Sequence, residues 1–122
     1  MPNPVNWFEI PVLDLERAKR FYEAVFGYQM SLQQMGPLQM AWFPAEQGAP
    51  FATGSLVQAE SYAPSHAGSR VYFSVPSIEQ ALAQVTANGG KVLSPKTPIG
   101  QFGFVAHFQD SEGNRVALHA ES

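Results

Sequence analysis

Three side chains in this sequence could carry acid–base or metal chemistry: the carboxylate Glu9 and the imidazoles His107 and His119. A carboxylate in a partly dry cleft could take a proton from a carbon next to a carbonyl group, and an imidazole could act as the acid. The same three groups supply oxygen and nitrogen donors that zinc or iron accepts while a coordination position stays open. Either chemistry requires the three residues to meet in one cleft.

The residues around these positions alternate in hydrophobicity with the period of a half-buried strand. One face carries an apolar set that would meet helices: Phe8, Ile10, Val12, Val71, Phe73, Val75, Val116 and Leu118. The opposite face carries a mixed aromatic and polar set: Trp7, Glu9, Arg70, Tyr72, Ser74, Ala117 and His119. This second face suits a cleft that orients a small molecule. The candidate ligand-binding residues are therefore Trp7, Arg70, Tyr72 and Ser74.

The elements that position these residues occur twice, in the same order. In the first half, a strand at residues 6–12 precedes a helix between Asp14 and Gly27, and the pattern then predicts strands at 28–32, 38–43 and 51–57. In the second half, a strand at 71–75 precedes a helix that Ser77 caps and that Gly89 and Gly90 end, with strands at 91–94, 102–109 and 115–120. A constant offset superimposes the halves, pairing Val12 with Val75. The sequence thus predicts two βαβββ modules in one domain, module 1 at about 4–59 and module 2 at about 70–122, with a linker at 60–69.

The composition excludes several classes of function. The sequence has no cysteine, so disulfides, thiolate metal sites and cysteine nucleophiles are ruled out, and a cytoplasmic location is expected. The net charge of −3, with Lys and Arg scattered along the chain, argues against nucleic acid as a partner. No apolar run approaches the ~20 residues of a membrane helix, so we expect no membrane partner. Phosphate-binding and serine-hydrolase motifs do not occur.

Two longer segments resemble one protein family. Trp7-Phe8-Glu9-Ile10-Pro11-Val12, followed by Asp14-Leu15-Glu16-Arg17-Ala18 and by Phe21-Tyr22 to Phe26-Gly27, is similar to the opening of vicinal oxygen chelate proteins, the superfamily of glyoxalases, bleomycin-resistance proteins and extradiol dioxygenases. Phe108-Gln109-Asp110-Ser111-Glu112-Gly113-Asn114-Arg115-Val116 resembles the turn into their last strand. The resemblance implies an α+β fold in which two modules form an incomplete, curled mixed β-sheet barrel, with helices outside and the ligand in the cleft between modules. It also implies a homodimer.

The resemblance further implies where a metal would bind. Metal-dependent relatives place His, Glu or Gln at one position in the first and one in the last strand of each module. Carried over, these positions are Trp7, Arg70, Ala117 and a fourth near Ala52 or Gly54. None of these residues ligates a metal, so we expect no cofactor and a protein that binds a small organic molecule by shape and stacking. The alternative is a shifted divalent-metal or acid–base site of Glu9, His107 and His119, serving a lyase, isomerase or dioxygenase that acts on a small oxygenated metabolite.

Simpler interpretations of the same residues stay open. Glu9 and Arg70 could pair with each other across the two modules, without any chemistry. His119 lies near the C-terminus, where an exposed or frayed imidazole is common, and a lone histidine is more often structural than functional. The aromatic residues Trp7, Trp42 and Tyr72 could belong to the core or to a dimer interface. The segment 95–103, rich in proline and glycine, could cover the cleft, meet a second subunit, or serve only as a connector.

Overall fold

The computed structural model of this chain describes residues 3–122. Module 1 contains β1 (Trp7–Pro11), α1 (Leu15–Phe26), β2 (Ser31–Met35), β3 (Leu38–Trp42) and β4 (Thr53–Gln58). Module 2 contains β5 (Tyr72–Ser74), α2 (Ile78–Ala87), β6 (Lys91–Pro98), a 3₁₀ turn (Gly100–Phe102), β7 (Phe104–Gln109) and β8 (Arg115–Ala120). The predicted repeat of strand, helix and three strands is confirmed.

Each module forms a four-stranded sheet with the same topology, β1-β4-β3-β2 in module 1 and β5-β8-β7-β6 in module 2. In both sheets the first strand runs parallel to the last, and the other neighbours are antiparallel. The two sheets remain open, as the expected incomplete barrel requires. Within residues 3–122, no helix is long and apolar enough to cross a membrane.

Side chains begin both helices as the sequence predicts. The Asp14 carboxylate accepts the Arg17 N–H at 3.1 Å, and the Ser77 hydroxyl accepts the Gln80 N–H at 3.2 Å. Helix α1 ends at Gly27, whose φ of 72° lies in the left-handed region that glycine adopts without strain. Because the two caps occupy equivalent places, they fix the alignment of one module on the other.

The two modules share one hydrophobic core. The Phe73 ring of β5 lies 5.7 Å from Phe8 of β1, 5.3 Å from Phe43 and 4.6 Å from Phe26 of α1, measured between ring centroids. The predicted apolar face is confirmed, since its members are buried in this core or packed against it: Phe8, Ile10, Val12, Val71, Phe73, Val75, Val116 and Leu118. Their strands therefore turn the opposite face away from the helices, and we call that face the inner face of each sheet.

The boundaries of two predicted strands, β2 and β6, differ most from those in the structure. β2 begins at Ser31 rather than at residue 28, because Tyr28 stacks on Phe26 and Met30 is buried in the core. β6 continues past Ser94 to Pro98 through two irregularities in its pairing with β7. As an edge strand it tolerates proline, which cannot donate to a neighbouring strand. The segment 95–103 is thus partly strand and partly 3₁₀ turn.

Candidate functional site

Strand pairing aligns four residues in a row across the inner face of each sheet. In module 1 the row runs Glu9, Ser55, Trp42, Ser31, and in module 2 it runs Tyr72, Ala117, His107, Ser94. We call these the central rows. Glu9 and Tyr72 lie equally far from their helix caps and are therefore counterparts. Their strand partners are Ser55 and Ala117, so Ser55 is the counterpart of Ala117 in module 1. The fourth position, expected near Ala52 or Gly54, is thus Ser55, which the sequence could not specify because it does not show the register of β4 against β1.

The inner face of module 1 is an aromatic wall around a buried hydroxyl. Trp7 and Trp42 meet edge to face with ring centroids 5.5 Å apart, and Trp7 keeps 37% of its surface exposed. Ser55 is fully buried between Glu9 and Trp42. Within residues 3–122, neither Ser55 Oγ nor the indole Nε1 of Trp42 has a hydrogen-bond partner. This wall therefore offers stacking surfaces, and two buried polar atoms within it have no partner among the described residues.

The inner face of module 2 is built around His107. Arg115 Nε donates to His107 Nδ1 at 2.9 Å, and a guanidinium can only donate, so the proton of the neutral imidazole lies on Nε2. Tyr72 Oη lies 3.4 Å from that Nε2. Burial lowers the pKa of His107, and the charges of Arg115 and Arg70 lower it further. His107 therefore presents a hydrogen-bond donor, rather than a base or a metal-binding nitrogen, at Nε2.

Arg70 precedes β5 on the same inner face. Its Nη2 donates to the His66 carbonyl at 2.9 Å, while its Nε is buried and has no partner among the described residues. His66 Nε2 lies 2.9 Å from Gln109 Oε1. The linker is thus tied to module 2 through the side chain and the carbonyl of His66.

The other predicted residues have separate partners. Glu9 accepts the Tyr62 hydroxyl at 2.8 Å, and the ion pairs among residues 3–122 do not include one between Glu9 and Arg70. That proposed pair is wrong, because Tyr62 and the His66 carbonyl bind the two side chains instead. His119 Nε2 lies 2.6 Å from the Phe102 carbonyl, which holds the imidazole to the 3₁₀ turn. Ser74 is exposed at the end of β5.

The structure does not bring Glu9, His107 and His119 together as a metal site. Among residues 3–122, no group of three or more His, Asp or Glu side chains is placed to hold a metal ion. The four positions carried over from the family are Trp7, Ser55, Arg70 and Ala117, and these side chains do not suit a divalent ion. The residues present therefore do not fit the metal that the resemblance implies.

Sequence reasoning missed three residues of the site, Trp42 as a polar donor, Ser55 and Arg115. Arg115 had a usable signal, because it alternates with Ala117 and His119 and so shares their face. Ser55 had no such signal in the sequence, since its burial depends on the neighbouring strands β1 and β3.

Comparison with known proteins supports both the fold and the family. A family model described as the Glyoxalase/Bleomycin resistance protein/Dioxygenase superfamily matches residues 5–118. A glyoxylase-like domain-containing protein of Didymella fabae is 32% identical over 123 residues, covering 93% of this chain and 91% of that protein. The structure of a glyoxylase/bleomycin resistance protein/dioxygenase domain from Frankia sp. EAN1pec matches with a TM-score of 0.75 at 15% identity, covering 100% of both chains. That of the fosfomycin resistance protein FosX from Listeria monocytogenes matches with a TM-score of 0.70 at 16% identity, over 100% of this chain and 96% of that one. At these identities the two structural likenesses concern the fold alone.

Proposed function

The chain belongs to the Glyoxalase/Bleomycin resistance protein/Dioxygenase superfamily, and we propose that its two inner faces bind a small organic molecule without a metal ion. β1 and β5 approach each other where the Phe8 and Phe73 rings meet in the core. The inner faces lie on the opposite side of these two strands, away from the core. The cleft that they border is the place where a ligand would contact both central rows.

The observation that carries this proposal is the position of the unpaired polar atoms. Buried side-chain polar atoms in proteins nearly always have a hydrogen-bond partner. Among residues 3–122 the exceptions are Trp42 Nε1, Ser55 Oγ and Arg70 Nε, and all three belong to the inner-face sets. A polar ligand seated between the sheets would supply the missing partners. Trp7, Trp42 and Tyr72 would stack on its apolar body.

The absence of suitable metal ligands separates this proposal from metal-dependent catalysis. Trp7 and Ala117 offer no donor atom, and Arg70 carries a positive charge that repels a cation. Fold alone does not specify a reaction. Binding by stacking and hydrogen bonds uses the groups that the inner faces do offer.

Binding can be tested with the two tryptophans of the chain as internal probes, since both Trp7 and Trp42 lie on the inner face. A panel of small aromatic acids, amides, alcohols and amines is titrated into chelator-treated protein, with tryptophan fluorescence and the melting temperature as readouts. We expect saturable fluorescence changes for some members, and binding weakened about tenfold by Ser55→Ala or Trp42→Phe.

The matched control is Ser31→Ala, which changes an exposed serine at the edge of the same central row. It should leave binding unchanged. A panel without any ligand, or ligands whose affinity does not depend on Ser55 and Trp42, would overturn the proposed function.

We also propose a homodimer in the cytoplasm. The open sheet edges support pairing or coverage by a second chain, and the absence of cysteine suits a reducing compartment. Light scattering at micromolar concentration tests the first point, and a monomer there would refute it. Fractionation of cells that produce the protein tests the second.

A further inference from the structure

The inner face of module 2 carries two arginines, Arg70 and Arg115. β5 runs parallel to β8, with Tyr72 beside Ala117 and the Ala117 N–H bonded to the Val71 carbonyl. The paired register ends there, because the Arg115 N–H bonds to the Ser65 carbonyl. Arg70 precedes Tyr72 by two residues and Arg115 precedes Ala117 by two, so alternation puts both side chains on the inner face. Arg115 Nε donates to His107 Nδ1 at 2.9 Å, and the charges of both arginines lower the pKa of His107. Like charges on one face repel each other unless something compensates them.

Neither arginine finds that compensation within the described chain. The ion pairs among residues 3–122 are made by Arg17, Lys19 and Lys96, not by Arg70 or Arg115. Arg70 donates from one nitrogen to a backbone carbonyl, and its Nε has no partner among the described residues. Arg115 donates from its Nε to His107. Several guanidinium donors therefore stay available on this face.

The neighbouring groups are also arranged as donors. The bond from Arg115 fixes the imidazole proton of His107 on Nε2, and the Tyr72 hydroxyl lies 3.4 Å from this atom. Ala117, between Tyr72 and His107 in the central row, is fully buried and carries only a methyl group. Two cations, an N–H and a hydroxyl around a small side chain form a binding site for an oxyanion.

We propose that Arg70 and Arg115 bind the carboxylate of an organic acid, with His107 Nε2 and Tyr72 Oη as additional donors. This inference rests on the proposed function and names its ligand class: an acid whose aromatic or apolar body contacts the tryptophan wall of module 1. Guanidinium groups suit this role because their N–H groups match the two oxygens of a carboxylate.

The smallest matched probes for this site are acetate and acetamide, which have the same shape but differ in charge. Each is titrated into ¹⁵N-labelled protein, while NMR follows the side-chain Nε–H signals of Arg70 and Arg115 and the titration of His107. We expect acetate to shift these signals and to raise the pKa of His107, because an anion beside the imidazole favours its protonated form. Acetamide should do neither.

Variants assign the effect to the arginines. Arg115→Gln and Arg70→Gln should each weaken acetate binding about tenfold or more. The control is Arg20→Gln, which removes an exposed arginine of α1 with no ion pair among the described residues. The two test variants stand on different elements, so a folding defect in one leaves the other informative. Equal responses to acetate and acetamide, or an unchanged His107 pKa, would overturn the inference.

The outcome is distinguishable from a failure of the proposed function. If neutral members of the ligand panel bind the cleft but acetate leaves Arg70, Arg115 and His107 unaffected, the carboxylate site is wrong while the binding function stands. If acetate binds at the arginines but no organic ligand changes tryptophan fluorescence, the anion site stands and the proposed function fails.

Discussion

The connection between the third and fourth strands differs sharply in the two modules. In module 2 it is the short turn of residues 110–114, whose Asp110, Glu112 and Asn114 are buried. In module 1 it is a longer loop of residues 43–52, exposed from Pro44 to Phe51. The same place in the fold thus holds a buried polar turn in module 2, which is bonded to module 1, and a solvated loop in module 1.

Hydrogen bonds explain why the turn is buried. Asp110 accepts the Tyr22 hydroxyl at 2.7 Å and the N–H groups of Glu112 and Asn114 at 2.9 Å. Glu112 accepts the N–H groups of Leu13 and Asp14 at 3.0 and 2.9 Å, at the start of α1. Buried carboxylates are tolerated when hydrogen bonds satisfy them in this way. The turn therefore fastens module 2 to the first helix of module 1.

The equivalent place at the start of α2 stays open. A groove of about 490 Å³ lies there, lined by residues that include Phe26, Tyr28, Pro76 and Gln80. Pro76 is the counterpart of Leu13 and has no N–H to offer, so the site that holds Glu112 has no copy in module 2. The comparison shows that the two modules keep the backbone of the repeat while their side chains have taken different roles.

The largest expected effect on stability comes from replacing Asp110, because its removal leaves several buried donors without an acceptor. Asp110→Ala should lower the free energy of unfolding by about 3 kcal/mol or more, since each unsatisfied buried group costs about 1–3 kcal/mol. Urea unfolding measures this change in the free energy of unfolding. Glu46→Ala, in the exposed loop of module 1, is the control and should stay within about 0.5 kcal/mol. Similar losses for both variants would contradict the difference between the two connections.

A smaller effect concerns the pH dependence of stability. Burial raises the pKa of Glu112, but hydrogen bonds from Arg17, Asp14, Ser111 and Leu13 outweigh it, so the net pKa is lowered from 4.5. A carboxylate with a lowered pKa stabilises the fold fully above its ordinary pKa, and this contribution is lost as the pH falls through the folded value. Unfolding free energies measured from neutral pH to well below 4.5 should therefore fall more steeply for the parent protein than for Glu112→Gln. Parallel curves would show that Glu112 does not set this dependence.

The smallest effect is expected at the central rows. Ser55→Ala gives module 1 the residue that module 2 has at the equivalent position, Ala117. Because the Ser55 hydroxyl is buried without a partner, its removal should leave stability unchanged or raise it by up to about 1 kcal/mol. Thermal unfolding without ligand checks this. A loss of more than about 1 kcal/mol would show that the hydroxyl supports the fold rather than a ligand.

The sequence predicted the fold well because its signals are local. Asp14 and Ser77 begin helices, and Gly27 ends one, through contacts within a few residues. The alternation around Phe8 and Phe73 identifies the face that packs in the core. The boundary of β2 was less accessible, because Tyr28 is held by stacking on Phe26 rather than by its own strand propensity.

The site was predicted only in part, because it depends on register and on distant contacts. Alternation placed Trp7, Glu9, Arg70 and Tyr72 on the inner face, but it could not show that Glu9 bonds to Tyr62. Nor could it show that Asp110, predicted as part of a simple hairpin turn, would meet Tyr22 from the other module. Such pairings follow from packing of the two modules and leave no periodic signal.

Binding of an organic ligand without a metal is decided by comparing metal-free with metal-supplied protein. The affinity of a ligand from the panel is measured by tryptophan fluorescence on protein stripped with a chelator, and again after addition of Zn²⁺, Ni²⁺, Mn²⁺ or Fe²⁺. We expect the same Kd in every sample, because Trp7, Ser55, Arg70 and Ala117 offer no metal site. Binding that disappears on chelation and returns with one of these ions would contradict it.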